Sequence, residues 1–449
     1  MAGDMKIEED IDLESWKKRR KRTLYTLCTL CLFLGMEYSM TFATLLLYLQ
    51  NFVQNQHHTD LFYAVISSAY YIAGIVSSLV IGRYTDRTRN IRSTLSVCLA
   101  FIIVGNILYA VPYSPFFLLV GRFIAGIGGS IRPVVSAEIA RCYIEEEALP
   151  AFSFIAIMFG LGFTLGPATN LAFVYVDFNI GPLAVNYANT PGLFMAAVFI
   201  LGEILLLAFV SDLSKEHDLK AKSEKCHLDE ETPLVDSSNR NIGSFKVAWI
   251  LLTNFDSAII IFTSALSMFL IGCIDIWTPM IIVETLKWGV IEVNTIMFGS
   301  GLSAILAFLV LFFKPPSART GYVLSVVAVF MMAAIEVVLI IIITCRHYYQ
   351  VVVVSWVAYD LILGIIPLAD EIFFLSALSQ MVPSSYQSYS EAVRQCLCQV
   401  GALTALLTSV ILFKVVIAAA SVLLGLSVVC GVCMIVRRKQ LIQPTFVIQ

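Results

Sequence analysis

The chain contains little charge for its length. Asp, Glu, Lys and Arg make up 14% of its 449 residues, whereas a typical soluble domain carries about 25%. Hydrophobic residues make up 59%. Because a soluble fold of this size could not cover its surface with so few charges, we expect lipid to be its solvent. The net charge of −3 offers no basic surface to a nucleic acid.

The sequence also lacks the groupings that enzymes and metal sites use. Its five histidines lie in loops or near the ends of hydrophobic runs, and we find no paired nucleophile and base, metal cluster or phosphate-binding loop. Close cysteine pairs such as Cys28 and Cys31 lie within hydrophobic runs, where cysteine behaves as a small apolar residue. We therefore expect neither an enzyme nor a bound cofactor or metal.

Long hydrophobic runs dominate the sequence. A membrane-spanning helix needs ~20 apolar residues, and the runs predict an all-α membrane protein with spans numbered one to twelve. They form two six-helix bundles, residues 23–211 and 259–436, joined by a cytosolic linker with an interfacial end, residues 212–258. Residues 1–22 and 437–449 are predicted to be tails. The predicted spans are 23–50, 61–82, 93–112, 116–140, 149–175, 191–211, 259–283, 291–313, 320–345, 350–379, 388–412 and 415–436.

The basic residues orient these spans. With the N-terminus in the cytosol, most of the 29 Lys and Arg residues lie on the cytosolic side. Only Lys287, Arg346 and Lys414 lie on the opposite side. Since cytosolic loops of membrane proteins carry an excess of Lys and Arg, both termini are predicted to be cytosolic.

The short loop after span two reads Gly82-Arg-Tyr-Thr-Asp86-Arg87. This string resembles the loop signature of the major facilitator superfamily, which implies that Asp86 and Arg87 hold one end of the bundle closed. Glu391 and Arg394 lie one turn apart at the start of span eleven. In that fold this end meets the loop, so the two residues are a predicted gate pair.

Spans four and five contain small residues at helical spacing, which let neighbouring helices approach closely. Both patterns are similar to superfamily signatures, and three signatures in the expected order imply the major facilitator fold. The residues that carry the second and third signatures are Arg122, Gly126 and Gly129 in span four and Gly162, Gly166 and Pro167 in span five.

A narrower resemblance rests on residues 122–128, 162–167 and 185–194 and on Thr278-Pro279. These segments are similar to the lysosomal ceroid-lipofuscinosis neuronal type seven family. The resemblance implies a lysosomal or endosomal transporter-fold protein for which chloride conduction has been proposed; the plasma membrane is the alternative location. The acidic dileucine signal of that family has one candidate in the linker, formed by Glu230, Leu234 and Val235.

The superfamily fold implies that spans one, four, seven and ten line a cavity. Charges at bilayer depth are costly and usually functional, and a carboxyl there can bind and release protons. Arg132 either faces the cavity or pairs with a structural partner such as Glu138, while Glu203 and Glu336 are predicted to be structural. The cavity candidates are Glu37, Arg132, Asp275, Asp360 and Glu371.

These residues lead to a hypothesis of a monomeric alternating-access carrier for a small solute or ion, with protons and chloride as candidate ions. Two alternatives remain open. One is an anion channel in which Arg122 and Arg132 attract the ion. The other is a transport-inactive sensor or scaffold that acts through its linker.

Overall fold

A computed structural model of the protein describes most of the chain. The predicted sorting signal (Glu230, Leu234 and Val235) and the cavity candidate Glu371 lie outside the described residues. The side chain of Pro167 is not described either, although its backbone is helical. The described residues are 2–50, 56–143, 145–173, 175–181, 183–216, 243–288, 290–313, 318–366 and 373–442.

In the described part of its first half, the chain forms helices α1 to α7 and one β-hairpin. The hairpin joins α6 to α7, pairs Asp177 with Asn186, and turns at Gly181, whose φ is +59°. The bounds are α1 Ala2–Gln50, α2 Gln56–Thr88, α3 Ile91–Tyr109, α4 Pro115–Gly128, α5 Ile131–Cys142, α6 Glu145–Ala172, β1 Asp177–Ile180, β2 Leu183–Asn186 and α7 Thr190–Phe209.

The second half begins with the short helix α8, Ser244–Thr253, in the segment predicted to be interfacial. Asn254 then caps the next helix by accepting hydrogen bonds from the backbone amides of Asp256 and Ser257. The bounds that follow are α9 Phe255–Met280 with a π-helical turn Ile281–Thr285, α10 Val290–Phe313, α11 Ala318–Thr344, α12 Tyr349–Leu363, α13 Leu375–Gln380, a 3₁₀ turn Ser384–Tyr386, α14 Gln387–Phe413, α15 Val416–Val436 and α16 Arg438–Ile442.

Eight helical segments within the described residues are long and apolar enough to cross a membrane. They include Val65–Thr88, Thr190–Glu216 and Arg319–Thr344. The helical, membrane-spanning character predicted from the sequence is confirmed. The number twelve and the cytosolic termini remain predictions.

Predicted span four is interrupted in the structure. Helix α4 ends at Gly128 and α5 begins at Ile131, with Gly129 and Ser130 between them. Pro133 lacks a backbone N–H, and its ring clashes with the carbonyl four residues earlier, which belongs to Gly129. The interruption therefore lies where the proline requires it.

Helix α1 continues through the predicted N-terminal tail, so the predicted boundary at residue 22 falls inside one helix. Ion pairs attach this part of α1 to its neighbours. Arg19 pairs with Glu216 at 2.9 Å, and Arg20 pairs with Glu147 at 2.7 Å. The Arg20 guanidinium also lies 4.4 Å from the ring centroid of Tyr143.

Each half has its own large hydrophobic core. Buried side chains of the first include Leu27, Ile102 and Phe199. Leu375 of α13 is buried in this first core although it belongs to the second half of the sequence. The two halves are therefore joined by apolar packing at the end where α13 lies.

Candidate functional site

Glu37 and Arg122 form a buried ion pair between α1 and α4, with 2.5 Å between the carboxylate and guanidinium. Their side chains are 1% and 7% exposed. The Arg122 guanidinium also lies 4.3 Å from the ring centroid of Tyr70. Because a charge removed from water needs a partner, each residue compensates the other. Sequence reasoning assigned Glu37 to a cavity and Arg122 to helix packing; the structure brings them together.

Aromatic side chains form a wall beside this ion pair. Tyr38 of α1 stacks on Phe163 of α6 with ring centroids 5.8 Å apart, and its hydroxyl hydrogen-bonds that of Tyr71 in α2. Phe163 is 41% exposed, and both tyrosines are half-buried. A small cavity adjoins the wall, lined by Tyr38, Thr41, Leu45, Ser67, Tyr70, Tyr71 and Arg122.

Asp275 faces this wall from the other half of the molecule. It lies in α9, is exposed, and interacts electrostatically with the hydroxyls of Tyr38, Tyr63 and Tyr71. Ile274 and Trp277, which are nearby on the same helix, are buried. Because this exposed carboxylate interacts with side chains of the opposite half, it lies in a space between the two halves. We call this space the central crevice.

Asp360 is half-buried and is held by the neighbouring helix α10. Its carboxylate accepts a 2.8 Å hydrogen bond from the Ser300 hydroxyl, and its backbone carbonyl accepts one from Ser303. The preceding Tyr359 shares a 2.5 Å hydrogen bond with Thr278 of α9. These contacts place Asp360 at the packing of α12 on α10.

Arg132 is half-buried in α5, with its guanidinium 4.6 Å from the ring centroid of Phe159. Glu138, the alternative partner considered from the sequence, accepts a 3.0 Å hydrogen bond from the backbone amide of Ser214. Glu138 is buried, so this contact ties α5 to the segment after α7.

A network at one end of the bundle joins the two halves, and we call this end the gate end. Asp86 of α2 accepts hydrogen bonds from the backbone amides of Ser388, at 2.9 Å, and Tyr389, at 2.7 Å. These amides lie in the first turn of α14, where the helix dipole favours a negative charge. Arg141 of α5 pairs with Asp86 and donates a 3.0 Å hydrogen bond to the Ser388 hydroxyl.

Gly82 allows the close contact between α2 and α14. A Cβ atom at this position would lie 2.7 Å from the Cβ of Ala392 and 2.8 Å from the carbonyl oxygen of Ser388. Arg87 is exposed. On the same helix Arg83 lies 4.8 Å from the ring centroid of Tyr386, which belongs to the second half.

Glu391 and Arg394 form a bidentate pair within α14, at 2.7 and 2.9 Å. Arg394 also donates a 3.2 Å hydrogen bond to Ser264 of α9. The pair thus links α14 to α9 within the second half. Glu391 also lines a crevice next to Ser136 and Ala137 of α5.

The signature glycines lie at helix contacts. Gly126 and Gly129 lie against Tyr70 of α2. In α6, Gly162 lies against Leu32, and Gly166 lies against Ser39 of α1. Sequence reasoning missed Arg141 and the aromatic wall. Arg141 was counted as a loop charge, and its distance of 55 positions from Asp86 gave no signal of the pairing.

A family model described as Major Facilitator Superfamily matches residues 25–406. The chain belongs to this superfamily. It is also 22% identical over 276 residues to Major facilitator superfamily domain-containing protein 8 of Xenopus laevis. That alignment covers 59% of this chain and 53% of the relative, so the chain matches about half the length of this curated protein. The resemblance inferred from the sequence motifs is therefore confirmed.

Two solved transporters share the fold at 12% sequence identity. The human organic anion transporter MFSD10 (TETRAN) aligns with a TM-score of 0.72 over 92% of this chain and 99% of its own. The proton:xylose symporter XylE aligns with a TM-score of 0.65 over 93% and 96%. At this identity the likeness establishes the fold. The chain is an integral, multi-pass membrane protein of a transporter family.

Proposed function

We propose that this protein carries a small solute or ion across its membrane by alternating access. The observation that supports the proposal most strongly is the asymmetry of the bundle. Asp86 ties the two halves at the gate end, while Asp275 is exposed in the central crevice. Alternating access rocks two bundles around a central site, which requires a gate of this kind.

The predicted topology makes the gate end cytosolic, so we propose that the structure is closed toward the cytosol. We further propose an endolysosomal membrane as the location, supported by the resemblance to its curated relative, with the plasma membrane as the alternative. Asp275 and Asp360 are the candidates for carrying protons if transport is proton-linked. The protein is proposed to act as a monomer.

The alternative function, an anion channel, needs positive charge along its path. Arg122 was one of two candidates for that charge, and it is compensated by Glu37. This pairing favours a carrier over a channel. The sensor alternative depends on the linker, most of which lies outside the described residues.

Counterflow in proteoliposomes tests the proposal. Solutes that raise the melting temperature of the purified full-length protein are loaded at high concentration, and uptake of the labelled solute is followed. A carrier exchanges internal for external solute, so trapped solute should accelerate uptake. Asp275→Asn should reduce this exchange, whereas Asp177→Asn, in the exposed hairpin, should not. Flux that trapped solute does not accelerate would indicate a channel.

A further inference from the structure

On the side of the second half, the central crevice presents a negative charge to a solute. Asp275 is exposed, and within the described residues no lysine, arginine or histidine pairs with it. An exposed carboxylate without a protein counter-charge can be compensated by a ligand. The carboxylate is therefore a point of attachment for a positive group.

The opposite wall of the crevice presents aromatic rings. Tyr38, Tyr71 and Phe163 are each partly exposed, and Tyr38 and Phe163 are stacked with an interplanar angle of 29°. Aromatic faces carry negative electrostatic potential and attract cations, by ≈ 0.5–1 kcal/mol at exposed sites and more when the cation is desolvated. An ammonium group between the rings and Asp275 would gain from both.

The positive charge nearest this wall is already compensated. Arg122 is bound by Glu37, and its guanidinium lies over the ring of Tyr70, which is 8% exposed. A second cation, Arg132 of α5, is half-buried with its guanidinium against the ring of Phe159 in α6. The Glu37–Arg122 pair thus adds no net charge beside the wall, and the rings that face Asp275 are themselves neutral, which favours a cationic over an anionic solute next to Asp275.

We infer that the central crevice binds an organic cation, an amine or quaternary ammonium solute held between Asp275 and the rings of Tyr38, Tyr71 and Phe163. The inference rests on the proposed function for its physiological meaning, since it names the class of solute that the carrier would move.

Binding of two fluorescent dyes to the purified full-length protein tests this inference. The cationic probe is 4-(4-dimethylaminostyryl)-N-methylpyridinium and the anionic probe is fluorescein, each followed by fluorescence anisotropy with tetraethylammonium as competitor. We expect saturable binding of the cationic dye and its displacement by tetraethylammonium. Saturable binding of fluorescein but not of the cationic dye would overturn the inference.

Variants locate the binding. Asp275→Asn should weaken binding of the cationic dye by roughly tenfold or more, which is the range expected for loss of a hydrogen bond to a charged group. Asp275→Glu, which keeps the charge, should stay within about threefold. Tyr38→Leu should weaken binding by roughly 2- to 30-fold, while Tyr38→Phe, which keeps the ring, should bind nearly as well as the parent. Cationic binding that is equally strong in Asp275→Asn and Tyr38→Leu would place the dye elsewhere and contradict the inference.

Two controls separate folding and transport from binding. Asp177→Asn removes the same charge from the exposed hairpin and should leave affinity unchanged, and each variant is used only with the parent's elution profile and melting temperature. If the cationic dye binds through Asp275 but no stabilising solute shows counterflow, the carrier proposal fails and the binding inference stands. If another solute shows counterflow and the cationic dye does not bind, the binding inference fails and the carrier proposal stands.

Discussion

The carboxylate of Asp86, near the end of α2, accepts a 2.9 Å hydrogen bond from the backbone amide of Ser388, in the first turn of α14. The two residues are 302 positions apart and belong to different halves. A side chain of one bundle therefore caps a helix of the other, and the cap holds only while the gate end is closed. Its strength sets how easily that end opens.

Replacing Asp86 by Asn should favour opening of the gate end. The variant loses the ion pair with Arg141 and weakens two charge-assisted hydrogen bonds, so we expect a loss of roughly 1–3 kcal/mol for the closed state. Hydrogen–deuterium exchange should become faster at the amides of Ser388 and Tyr389. Asp177→Asn is the matched control, and unchanged exchange in Asp86→Asn would contradict this role.

Arg141 and Asp86 should act as a unit. Because they pair directly, Arg141→Gln and Asp86→Asn remove the same interaction, and their effects on exchange should not add. We expect the double variant to differ from the sum of the single variants by roughly 1 kcal/mol or more. Strictly additive effects would mean that the two residues stabilise the gate end independently.

Two glycines of α6 should respond differently to the same substitution. A Cβ at Gly162 would overlap the backbone carbonyl of Leu32, while a Cβ at Gly160 meets no described atom within 4 Å. Gly162→Ala should destabilise the protein by about 1–3 kcal/mol, since two helix backbones would have to separate. Gly160→Ala should be neutral or slightly stabilising. Thermal melting of the purified protein distinguishes them, and equal shifts would contradict the packing described here.

Two buried glutamates should also differ. Neither carboxyl oxygen of Glu336 has a hydrogen-bond partner in the described part of the chain, whereas Glu391 holds the buried Arg394. Glu336→Gln should therefore leave the melting temperature unchanged or raise it, because no paired charge is lost. Glu391→Gln should cost roughly 3 kcal/mol by leaving Arg394 uncompensated. A large loss of stability in Glu336→Gln would reveal a partner for this residue.

Hydropathy was sufficient to predict that the chain is helical and spans a membrane, because lipid selects for long apolar segments. It could not predict the start of α1 at Ala2, since a helix in water depends on other interactions, such as the 3.2 Å pair of Glu14 and Lys18 one turn apart. The hairpin of β1 and β2 was missed as well. Its short strands carry too few residues for a clear alternation.

The candidate site was partly predictable. A sequence shows which charges lie at bilayer depth, and Glu37 and Asp275 were identified in this way, whereas Arg122 was identified through its motif. It does not show which charges meet, because the pairing of Glu37 with Arg122 spans 85 positions and depends on how α1 packs on α4. The aromatic wall had no distinguishing signal either, since tyrosine and phenylalanine are common throughout the predicted spans.

The central claim is that the two halves separate at the gate end during transport. The most direct measurement is the distance between spin labels at Arg87 and Lys439, both exposed, in a chain whose native cysteines have been replaced. Double electron–electron resonance should give a short main distance in the parent protein and a longer second population that grows in Asp86→Asn. A single distance distribution, identical in the parent, Asp86→Asn and Arg141→Gln, would contradict the account.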